Sequence, residues 1–105
     1  MQKFPADKLR GLMAECAERY DHWQNIRQNG CNDPTWSDGT NLNLIRNHII
    51  HAKREIKSLC DNFRLVIPAI YFRPLPPTMR NDFYVITGKW YETRTKTRNP
   101  KEVIL

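Results

Sequence analysis

Seven apolar residues, Leu42, Ile45, Ile49, Ala52, Ile56, Leu59 and Phe63, recur at alternating steps of three and four. This spacing lays one apolar stripe along a helix, close to a heptad seam. A stripe of that length must be covered, either by another helix of the same chain or by a second copy in a homodimer. An intramolecular partner is available upstream. Leu9, Leu12, Met13, Cys16, Tyr20 and Trp23 also recur at helical steps, which predicts a first helix from Ala6 to Gln28. Pro5 and Asp7 suit its first turn, and Gly30 suits its stop. Gly11 weakens it by about 1 kcal/mol relative to Ala. Tyr20 and Trp23 read as core residues.

Between the two helical patterns lies a polar loop. Asn32-Asp33-Pro34 and Asp38-Gly39 are turn sequences, and Thr40 or Asn41 can cap the second helix. Trp36 stands among polar neighbours. Burial between the helices is the favoured reading, because an indole is costly to leave in water; exposure to a partner is the alternative. The acids of the loop match neither a calcium loop nor a paired-carboxylate site, and Gly39 alone does not make a phosphate loop. Turn and capping duties account for them.

Chemistry-bearing motifs are otherwise sparse. His48 and His51 have a spacing that can share a metal, but no third ligand is evident. No serine sits in a nucleophile elbow. Cys16, Cys31 and Cys60 are odd in number and far apart, which argues against a disulfide framework and for a reducing compartment. Cys16 and Cys60 fall on apolar patterns; Cys31 has no basic neighbour to activate it. The expectation is therefore no catalytic residue, no metal and no cofactor. No apolar run is long enough to span a membrane, and Met1 to Asp7 lack a signal-peptide core, so a cytoplasmic location is expected.

The net charge of +6 is unevenly spread over the 105 residues, which suit one small domain. Residues 64–105 carry eight basic and three acidic side chains, whereas the preceding thirds are nearly balanced. On the second helix Arg46, Lys53, Arg54 and Lys57 fall together, away from the apolar seam. After Phe63 the pattern breaks up. Leu65–Ile67 and Ala69–Phe72 read as short edge strands around Pro68, and Pro74-Leu75-Pro76-Pro77 as an extended, polyproline-like connector. Arg73–Pro77 has the look of a ligand for an SH3 domain, but Met79 stands where the second proline is needed. Residues 82–87 and 89–95 are rich in strand formers about Gly88. There Lys89, Trp90, Arg94, Lys96 and Arg98 combine cations with an aromatic, as grooves for single-stranded nucleic acid do. Tyr91, with Trp36, would equally anchor a protein partner. Val103–Leu105 favour a docked terminus over a frayed one.

Several strings in the middle of the chain carry a resemblance. They are Asp33-Pro34, Asp38-Gly39-Thr40-Asn41-Leu42-Asn43-Leu44-Ile45-Arg46-Asn47-His48-Ile49-Ile50, Ile70-Tyr71 and Leu75-Pro76-Pro77. They resemble small proteins of gut Firmicutes, their phages and mobile elements, a group without an assigned activity. The resemblance implies a setting in which small non-enzymatic proteins bind DNA or inhibit host defence enzymes; it implies no fold and no site residue.

The expected fold is α+β: an antiparallel two-helix hairpin over residues 1–63, then a basic region over 64–105 made of the connector and a small antiparallel β element. The expected function is a non-enzymatic binding module. Nucleic acid bound by Arg46, Lys53, Arg54, Lys57 and the basic C-terminal region is the leading reading, and a protein-interaction module of the nuclease-inhibitor type is its rival.

Overall fold

A computed structural model describes residues 4–85. Helix α1 runs Pro5–Asn29 and α2 runs Asp38–Phe63, followed by a single 3-10 turn at Ala69–Phe72. Among the described residues there is no strand.

Each helix starts and stops for a local reason. Pro5 fills the first turn of α1, where its missing N–H costs nothing, and the helix ends at Gly30, whose φ of +81° suits glycine. Its amide donates to Ile26 O at 2.8 Å. Helix α2 is capped by Ser37, whose Oγ accepts from Thr40 N at 3.0 Å. The helix therefore begins earlier than the Thr40 or Asn41 cap expected from the sequence. At its other end Arg64 turns left-handed with φ +55°, and Leu65 N donates to Cys60 O at 2.9 Å. That closure satisfies the carbonyls of the last turn.

The two helices pack antiparallel. Leu12, Cys16, Tyr20, Trp23 and Ile26 of α1 meet Leu42, Ile45, Ile49, Ala52, Ile56, Leu59 and Cys60 of α2 in one core. The seam read from the sequence is thus covered by α1 along most of its length. It stops short of Phe63, which is 53% exposed. Cys16 and Cys60 are buried, as their apolar setting suggested, and all three cysteines are free.

The segment after α2 then travels back along the hairpin. Its course is marked by bonds to successive positions of α2. Val66 lies at Cys60, Arg73 at Lys53, Pro76 at Arg46, Met79 at Asn43, Phe83 at Gly39 and Val85 at Asp38. Ile67, Ile70, Tyr71, Met79 and Phe83 pack inward on the core.

This corrects the α+β expectation: the described chain is all-helical, with an extended strap rather than a β element. The physical reason is donor supply. Pro68, Pro74, Pro76 and Pro77 have no N–H for a ladder. Ala69–Phe72 close instead on local bonds, Tyr71 N to Pro68 O at 3.0 Å and Arg73 N to Ile70 O at 3.2 Å. The edge strands read at Leu65–Ile67 and Ala69–Phe72 are accordingly absent. Of the pair read at 82–87 and 89–95, residues 82–85 are not strand, and the rest lies outside the described residues.

Candidate functional site

Besides its apolar contacts with the core, the strap is seated by side chains that hold its backbone atoms. Tyr20 Oη donates to the carbonyls of Arg73 and Pro74 at 2.9 and 3.0 Å. Lys53 Nζ donates to the same Arg73 carbonyl, and lies 5.4 Å from the centroid of the Tyr20 ring. The Arg73 guanidinium covers that ring at 4.0 Å. Arg46 Nε donates to Pro76 O at 2.7 Å, and Pro76 is buried. Asn43 makes a reciprocal pair with Met79: Nδ2 donates to its carbonyl at 2.7 Å, and Oδ1 accepts from its amide at 2.8 Å. Side-chain groups thereby take the place of the missing sheet neighbour.

At the start of α2 the seat closes on a buried polar cluster. Asp38 is fully buried, and its carboxylate accepts from Val85 N at 2.6 Å and from Cys31 N and Sγ at 3.0 Å each. Asn41 Nδ2 reaches Cys31 Sγ and Asp33 Oδ2, both at 3.2 Å. Gly39 lets the strap in: its amide donates to Phe83 O at 2.9 Å, and a β-carbon there would sit 1.7 Å from Arg80 O. Ser37 Oγ also bonds Asn81 O. Asp38 therefore has neither the turn nor the capping duty expected of it. Asp33 keeps its turn duty, accepting from Thr35 N at 2.8 Å and Trp36 N at 3.3 Å.

The residues singled out from the sequence part company here. Of the four cations on α2, Lys53 is buried and Arg46 half-buried, both spent on strap carbonyls. Lys57 pairs with Asp61 at 2.6 Å, which raises its pKa through that hydrogen bond and charge. Arg54 is exposed. Lys89, Trp90, Tyr91, Arg94, Lys96 and Arg98 lie outside the described residues. Trp36 is 56% exposed, against the favoured reading that it folds back between the helices. Its amide donates to Asp33 Oδ1 at 3.3 Å, the neighbouring Ser37 is held by its cap to Thr40, and the core cluster forms without the indole.

His51 Nε2 lies 2.9 Å from Glu55, and His48 is exposed. Among the described residues no group of three His, Cys, Asp or Glu could hold a metal. Burial, then the hydrogen bond to Asp38, pushes the Cys31 thiol up to about 11, away from the reactive thiolate. No helix of the described chain is long and apolar enough to cross a membrane. Sequence reasoning missed Tyr20, Ser37, Gly39 and Asn43 as anchors. The one available signal was Asn41 and Asn43 together in the first turns of α2, where poor helix formers need another reason to be present.

No family model, curated protein or solved structure matches this chain.

Proposed function

We propose that the chain is a non-enzymatic protein-binding module with Trp36 as its anchor. The supporting observation is the Trp36 indole, 56% exposed on a loop whose backbone is bound at Asp33 on one side and Ser37 on the other. A rigidly presented tryptophan loses little freedom on docking and is the residue type most enriched among binding hot spots. Replacing Trp36→Ala should leave the melting temperature within about 2 °C, as a surface change does. Partner capture from nuclease-treated lysate should weaken by about 2 kcal/mol or more. Unchanged capture, or failure of the variant to fold, would remove Trp36 as the anchor.

A second reading rests on charge. Residues 4–85 carry eleven basic and nine acidic side chains, whereas residues 86–105 carry five and two, with Trp90 and Tyr91 among them. Nucleic acid bound there through Lys89, Arg94, Lys96 and Arg98, with Trp90 stacking, would lose affinity steeply between about 50 and about 200 mM salt. Fluorescence polarisation with labelled DNA and RNA oligomers tests it, and flat or undetectable binding at the lower salt sinks it.

A further inference from the structure

The strap turns three large apolar side chains outward: Val66 is 88% exposed, Phe72 68% and Leu75 38%. One such residue on a surface is ordinary. Three within ten residues are less so, and the backbone that carries them is held at the carbonyls of Val66, Arg73, Pro74 and Pro76. The strap itself is basic. From Asn62 to Asn81 the chain has three arginines and no acidic residue. Arg64 and Arg73 are exposed, and Arg73 is already ordered by the Tyr20 ring beneath it.

We infer that this outer face of the strap docks an acidic protein segment, its apolar side chains resting on Val66, Phe72 and Leu75 and its carboxylates on Arg64 and Arg73. The inference rests on the protein-binding reading but uses a different surface, since Val66 lies at the opposite end of α2 from Trp36. A nucleic acid would use the arginines and leave Val66 and Leu75 without a contact. A bilayer takes up a long amphipathic helix, and the longest helical piece on the strap is the four-residue turn Ala69–Phe72. Planar guanidinium groups beside apolar anchors suit carboxylates on a protein surface better.

The test places a photo-crosslinking residue in the full chain, Phe72→benzoylphenylalanine in one variant and Trp36→benzoylphenylalanine in another. Both are irradiated in nuclease-treated lysate, and the adducts are sequenced by mass spectrometry. The expected product at position 72 is a peptide of net negative charge with apolar residues. Its yield should fall at least about fivefold when Arg64→Glu is added, because charge reversal at a rim slows association. No adduct at 72, a neutral or basic peptide, a second copy of this chain, residues 86–105, or a yield indifferent to Arg64→Glu each overturns the inference. So does co-flotation of the purified chain with phosphatidylglycerol vesicles. Adducts at 36 alone overturn it while leaving the Trp36 reading in place; adducts at 72 alone support it and remove Trp36 as anchor. Adducts at neither position overturn both.

Discussion

Gly39 is the residue on which the seating of the strap turns. Any side chain there meets the Arg80 carbonyl head-on, at 1.7 Å from the β-carbon, and α2 cannot move aside without opening the core at Leu42 and Ile45. Gly39→Ala should therefore cost about 2 kcal/mol or more in urea denaturation, although alanine is the better helix former. A stability gain would show that the strap does not lie there. Cys31 offers a second residue-scale check. Its thiol is raised to about 11 in the folded chain, above its ordinary 9, so the folded state holds the proton more tightly than the unfolded one. The stabilisation is fully present below pH 9 and is lost as pH rises toward about 11. Stability curves should fall across that window, and Cys31→Ala should flatten the fall. At pH 8 a thiol reagent should label Cys31 slowly until denaturant is added.

At the scale of elements, the strap depends on polar anchors rather than on its own apolar contacts alone. Tyr20→Phe keeps the ring and deletes both bonds to the Arg73 and Pro74 carbonyls. The expected loss is about 1–2 kcal/mol, with faster hydrogen exchange at Met79 and Val85 and little change within the helix interiors. The helices themselves were legible in the sequence, because an apolar stripe at helical spacing has few other uses. Gly30 was legible as a stop for the same reason, a requirement that few residues meet. The strap was not. Val66, Ile67, Ile70, Tyr71 and Phe72 are strand-forming types, and nothing local reveals that the donors of a ladder are missing until four prolines are counted against it. Nor does a helical wheel reveal that the Arg46 guanidinium is bound to the carbonyl of Pro76, thirty residues downstream, which is why the sequence groups Arg46 with the cations expected to meet nucleic acid.

For the whole molecule, the strap reassigns charge. A face of Arg46, Lys53, Arg54 and Lys57 would be a phosphate-binding surface if all four stood in water. Two of them instead bond the chain's own backbone, and a third is matched by Asp61. On the described body Trp36, Val66, Phe72 and Leu75 are exposed, and Arg64 and Arg73 are the cations that the proposed protein contacts would use. The sharpest test joins stability and binding in one variant, Arg46→Met/Lys53→Met. The predicted result is a loss of about 2–4 kcal/mol in urea denaturation, with unchanged affinity for a labelled oligonucleotide at about 50 mM salt. Unchanged stability together with a tenfold or greater drop in oligonucleotide affinity (about 1.4 kcal/mol or more) would contradict it and return both residues to a nucleic-acid surface.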